Sequence, residues 1–149
     1  MPANTIPIYP RMPDVGIAGA VIGTTANTAT DGTGSAITLL FTADSVNGSL
    51  VYKVILKSIS TIAATVARIW YCSATGAFTP GTTNTAVNTT LIAEIAIAAW
   101  TVSQTTASPQ YEVSLNMAIP LSTKILISFG TSTGAGTTGF NPTVLAGDY

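Results

Sequence analysis

Apolar side chains recur at every second position through most of this chain, and that period predicts strands. The run 50–72, LVYKVILKSISTIAATVARIWYC, is the longest rich in Val, Ile, Tyr and Trp. It reads as two strands joined by a short corner that Ser58, Ser60 and Thr61 soften. Side chains alternate across a strand. The first strand therefore sets Leu50, Tyr52, Val54 and Leu56 on one face and Val51, Lys53, Ile55, Lys57 and Ile59 on the other. The second sets Ile62, Ala64, Val66, Arg68 and Trp70 opposite Ala63, Thr65, Ala67, Ile69 and Tyr71. This hairpin is the expected centre of a β-sandwich.

The flanking pattern supplies the other strands. Residues 16–25 (GIAGAVIGTT) predict a first strand weakened by glycine, and 35–42 (SAITLLFT) a second. Asn47-Gly48 marks a turn into the central pair. Residues 73–88 read as a long loop with Gly76, Pro80 and Gly81. The alanines and Glu94 of 89–99 would suit a helix, yet Leu91, Ala93, Ile95, Ile97 and Ala99 alternate and no capping box precedes them, so a strand is predicted. In 110–118, Tyr111, Val113, Leu115 and Met117 alternate with a wet face of Gln110, Glu112, Ser114 and Asn116. In 123–129, Thr123, Ile125, Ile127 and Phe129 point inward, with Lys124 and Ser128 outward and Leu126 interrupting that outer face. Residues 140–149 close the chain as a short strand, which Pro142 assigns to an edge. About eight strands without a helix predict an all-β, antiparallel β-sandwich of jelly-roll type.

Residues 1–16 carry Pro2, Pro7, Pro10 and Pro13, so they are expected to be an extended arm outside any central strand, with 17–149 forming one sandwich domain. Ile6, Ile8, Tyr9 and Met12 are interleaved with those prolines. A purely solvated tail gains nothing from such side chains, which points to an arm lying on its own domain or on a neighbouring subunit.

Composition narrows the function. Charged residues are 7% of the chain, against about a quarter in ordinary soluble domains. Thr, Ser, Asn and Gly fill the gap. Net charge is −1, and Arg11, Lys53, Lys57, Arg68 and Lys124 are scattered, so nucleic acid is not an expected partner. Near-zero charge leaves little repulsion between copies, which suits a subunit packed against neighbours. No run of about 18 apolar residues predicts a membrane span, and the N-terminus does not read as a secretory signal. The single Cys72 forms no intrachain disulfide and fits synthesis in a reducing cytoplasm.

Catalytic constellations are hard to assemble from these residues. The chain has no histidine, so imidazole bases and His-based triads are excluded. Cys72 lacks a His partner and is expected as a packed thiol. Glu94 and Glu112 could approach each other if their strands paired, but both sit on polar faces and read as solvated carboxylates. Asp31-Gly32-Thr33-Gly34 lacks the further acidic positions of a calcium loop. No cofactor or metal is expected, and no enzyme. Trp70, Tyr71, Trp100, Phe140 and Tyr149 could in principle form a sugar-stacking platform; Trp70 reads as core and Trp100 as the exposed member.

Taken together, the Pro-containing lead, LLFTADSVNGSLVYKVILKSIS, ATVARIWYC, TTLIAEIAIAA, IPLSTKILISFGTS and the terminal LAGDY resemble a loose group of small phage and prophage virion proteins. The resemblance implies a capsid decoration, or cement, protein. Such a protein is made in the host cytoplasm, ends on the capsid surface, and binds the major capsid protein as a homo-oligomer, here a trimer. It implies no nucleic-acid or membrane contact. The partner-binding residues expected on these grounds are Ile6, Ile8, Tyr9, Arg11 and Met12 of the arm, Lys53 and Lys57 of the central pair, and Trp100. Lys53, Lys57 and Arg68 suggest an outer sheet that meets an acidic neighbour. The alternative is a receptor- or glycan-binding head-fibre or tail module, led by Trp100 and the 73–88 loop.

Overall fold

The computed structural model describes residues 10–17, 22–134 and 139–149. Eight strands run in order: β1 (Met12–Ile17), β2 (Ile37–Thr42), β3 (Ser49–Ser58), β4 (Thr65–Cys72), β5 (Thr89–Ile97), β6 (Gln110–Ile119), β7 (Lys124–Phe129) and β8 (Phe140–Asp148). They form two antiparallel four-stranded sheets, β1-β8-β3-β6 and β2-β7-β4-β5. Strand β1 pairs with β8, β2 with β7, β3 with β6 and β4 with β5. That nested pairing is a long folded ribbon wrapped into two layers, the jelly-roll order. The expected all-β sandwich is therefore the observed fold.

The central pair needs one correction. Strands β3 and β4 do occupy the middle of the molecule, but in opposite sheets. They are not a hairpin. Residues 59–64 cross from one layer to the other, and their amides bond to other loops: Ile59 N–H to Gly139 O (3.2 Å), Ile62 N–H to Trp100 O (2.8 Å) and Ala63 N–H to Thr133 O (2.9 Å). Both strands have a strongly apolar face, and such faces are buried best by facing each other across the core. Val51, Val54 and Leu56 of β3 and Ala67 and Ile69 of β4 belong to one buried cluster.

Strict alternation also fails inside β3. A register shift between Val51 and Lys53 switches the parity. Val51 is buried and Tyr52 exposed, the reverse of the alternating assignment, while Val54 and Leu56 still point inward. Beyond the shift, Lys53, Ile55 and Lys57 lie on the outer face.

The first strand begins earlier than the glycine-rich run suggested. Met12–Ile17 pairs with β8 as an edge strand, which accommodates Pro13. Gly16 faces β2 so closely that a Cβ there would stand 2.5 Å from the Leu40 carbonyl oxygen. The last strand corrects the other proline argument. Strand β8 is interior, between β1 and β3. Phe140 exchanges backbone bonds with Ile22, so by alternation the nitrogen of Pro142 also points away from β3. Pro142 keeps its register with Leu56 of β3, and its missing amide takes no bond from that ladder. The turn at Asn47-Gly48 is as predicted: Gly48 has φ 79°, and the Asp44 carboxylate accepts from the amides of Val46 (2.9 Å) and Asn47 (2.8 Å).

Strand β7 is buried on both faces, whereas Lys124 and Ser128 were expected in water. The alternation was right and the environment was not. The 73–88 loop folds back over this face and brings Ala74 and Phe78 onto Ile37, Trp70, Cys72 and Leu126. Leu126, the interruption noted in the sequence, belongs to this second cluster. Asn84 fastens the loop by donating to Gly32 O (2.8 Å) and Gly34 O (3.0 Å).

The buried Lys124 ammonium donates to Ala74 O (2.7 Å) and Ser122 O (3.0 Å). Burial lowers its pKa below the usual lysine value of 10.5, and the neighbouring Cys72 opposes part of that shift. Between the lowered value and 10.5 the unfolded chain binds this proton and the folded chain releases it. Stability is expected to rise with pH through that window. Denaturant titrations at a series of alkaline pH values should show the rise in the wild type and a flatter profile in Lys124→Met.

Candidate interaction surfaces

Two exposed apolar regions stand out from the fold. The first is at one end of the sandwich, where the Asp44–Gly48 turn meets the 120–122 turn: Ser122 N–H donates to Asp44 O (3.1 Å). Ser49 Oγ donates to Asp148 Oδ1 (2.5 Å) beside them, and Met12 pairs with Asp148. This end therefore presents Met12, Val46 and Leu121, which are 65%, 71% and 48% exposed.

The second is the outer face of the β1-β8-β3-β6 sheet. The register sets Val15, Leu145, Lys53 and Ser114 in one row across the four strands, and Ile17, Thr143, Ile55 and Glu112 in the next. Val15 and Ile17 are 50% and 67% exposed. Lys53 Nζ bonds Glu112 Oε2 at 2.8 Å, and Gln110 Nε2 bonds Glu112 Oε1 at 2.7 Å. Those two hydrogen bonds, Lys53 first, hold the Glu112 carboxyl below its usual pKa. Lys57 lies one row further, opposite Gln110, exposed and without an ion-pair partner among the described residues.

The residues expected to bind partners separate in space. Ile6, Ile8 and Tyr9 lie outside the described residues. Arg11 is exposed, and its amide donates to Asp148 O (2.6 Å). Met12 joins the apolar end. Lys53 and Lys57 share the outer face, but Arg68 does not: it lies on β4 in the opposite sheet, where Nε bonds Glu94 Oε1 (2.9 Å) and Nη1 bonds Asn27 O (3.2 Å). Each of Glu94 and Glu112 thus serves a basic residue on a different sheet, and the two are not paired. Trp100 is half-buried, packs against the main core, and pairs its backbone with Ile62. Trp70 and Phe140 are fully buried, so the five aromatics do not assemble into a platform. Asp31 accepts from the hydroxyl (2.6 Å) and amide (3.1 Å) of Thr33, an ordinary turn that lowers its pKa.

Val15, Ile17, Leu145, Val46 and Leu121 escaped the sequence reading. Val15 and Ile17 alternate with Asp14 and Gly16, a period of two that the neighbouring prolines masked. Val46 and Leu121 sit in turns, where no periodicity applies.

The fold and these surfaces define a jelly-roll sandwich with apolar exposure at one end and on one sheet face. Comparison with protein families, with curated proteins and with solved structures returns no match for this chain.

Proposed function

We propose that this chain is a phage virion structural protein that decorates the outside of an assembled capsid and cements it. The observation that carries the reading is the apolar end formed by Met12, Val46 and Leu121 on a jelly-roll body of very low charge. Exposed apolar side chains at one end of a domain favour docking to another protein when they share a surface. The resemblance to small virion proteins supports the same reading: its segments map onto the scaffold, as β2 running through the Asn47-Gly48 turn into β3, then β4, β5, β7 and the end of β8. The partner is the major capsid protein, met by the chain as a homo-oligomer on the virion surface.

The mechanism is linkage. A protein that binds the closed shell and not its separated parts stabilises the shell, by about 2.7 kcal/mol per site at a hundredfold excess over Kd. Many such sites act together on one particle. Virions that lack this protein should release their genome at a lower temperature and on chelation. Adding the purified protein back should restore resistance, and Met12→Asp with Val46→Asp should not. Equal heat and chelator resistance with and without the protein would sink the cementing role.

A further inference from the structure

We propose that the outer face of the β1-β8-β3-β6 sheet pairs with the same face of a second copy, about a two-fold axis that sets Lys57 of each copy against Glu112 of the other. This pairing does not depend on the virion reading, because it is measured on the isolated chain.

The two sheets differ in how their outer faces are treated. The 73–88 loop covers the outside of β2-β7-β4-β5 and seals Trp70 and Leu126 beneath Phe78. The outside of the other sheet keeps Val15 and Ile17 open to solvent beside the outward-facing Leu145 and Ile55. Apolar side chains grouped on one sheet face in this way are buried when another apolar face covers them.

The charges point to a second copy as that cover. Net charge of −1 gives two copies little repulsion. A strongly anionic partner would need a cluster of cations, and this face offers Lys57 alone, since Lys53 is held by Glu112. What complements the face is the face itself. Same-face residues repeat about every 6.8 Å along a strand, and strands lie about 4.8 Å apart. On that grid, the diagonal two-fold that exchanges Lys57 with Glu112 also lays Ile17 of one copy on Leu145 of the other and passes close to Ile55. One axis thus brings the unpaired cation to Glu112, whose oxygens already accept from Lys53 and Gln110 and each keep a further lone pair, and it buries the exposed apolar residues, as an isologous contact requires. Pro13 blunts the β1 edge, so extension of the sheet edge to edge is disfavoured.

Area sets the strength. Four strands of this length present about 500 Å² per copy, so a pair covers about 1,000 Å², the lower end for specific association. The pairing is therefore weak and concentration-dependent, and its stoichiometry is two, in place of the trimer that the resemblance implies.

Sedimentation velocity of the full chain across roughly 5 to 500 µM tests this. The wild type should pass from monomer to dimer. Ile17→Asp should weaken pairing at least about tenfold while its circular dichroism and melting stay those of the wild type. Lys57→Glu alone and Glu112→Lys alone should each stay monomeric, because each apposes like charges at both contacts. Mixed one to one they should dimerise, because both contacts then join opposite charges. A wild type that stays monomeric overturns the proposal, whether the face is covered by the chain's own terminus or by nothing. So does Ile17→Asp pairing as the wild type does, a trimer in place of a dimer, or a mixture that stays monomeric while the wild type pairs.

Discussion

Phe140→Ala is expected to lower the unfolding free energy by about 3–5 kcal/mol, among the largest losses from any single truncation in the chain. Phe140 is fully buried at the start of β8. Its ring stacks on Phe129 of the opposite sheet, with centroids 5.4 Å apart and planes 3° from parallel. It also meets Tyr111 of β6 edge-on at 6.5 Å and 76°. One side chain therefore ties β8 and β6 of one layer to β7 of the other. Truncation leaves a cavity between layers whose neighbours are held by separate ladders and relax little. Phe140→Leu, which refills most of that space, should cost less than half as much. Urea unfolding followed by circular dichroism measures both, and a loss under about 1 kcal/mol for the alanine variant would contradict the packing described.

Trp70→Ala is expected to cost about as much, 3–5 kcal/mol, for a different reason. Trp70 lies outside the inter-sheet core, in the second cluster beneath the 73–88 loop. Its indole N–H donates to Ser128 Oγ at 2.9 Å in a buried site. Truncation removes the platform on which Phe78 and Ala74 rest and strips the buried hydroxyl of its donor. Trp70→Phe separates the two effects: it keeps most of the platform and should cost about 1–3 kcal/mol, chiefly from the hydrogen bond and the unpaired hydroxyl. The alanine variant should also open the loop, so limited proteolysis should cut within 73–88 where the wild type resists. Because Trp70 and Trp100 are the chain's two tryptophans, the fluorescence of Trp100 reports unfolding in either variant.

These two residues show how far a linear pattern reaches. Trp70 sits at an apolar position of a predicted strand, so its burial was legible; Phe140 heads a strand that Pro142 had assigned to an edge, so its burial was not. Which of two cores Trp70 enters was not legible either, because that depends on where a sixteen-residue loop folds. The same loop explains Lys124, which donates to Ala74 O, while Ser128 accepts from the buried indole of Trp70: alternation placed both correctly on the outer face, and only the tertiary structure covered it. The proline at 142 misled for a related reason. A missing amide is costly only where a ladder needs it, and the nitrogen of Pro142 points away from the β3 ladder in which the residue is registered.

The candidate surfaces divide in the same way. Lys53 and Lys57 were legible because charged side chains stand out in a chain with so few. Val15, Ile17 and Leu145 come from the two ends of the chain and become one patch only because β1 pairs with β8. Arg68, close to Lys57 in sequence, lies in the opposite layer because 59–64 crosses between the sheets.

By itself, the sequence determined that this protein is a β-sandwich of about eight strands with a neutral polar surface, because strand alternation and composition are local properties. Only the tertiary structure decided which strands are neighbours, which faces are roofed, and which apolar side chains remain in water. Those outcomes depend on contacts between residues far apart in the chain, and on the parity switch at Tyr52 that no local period announces.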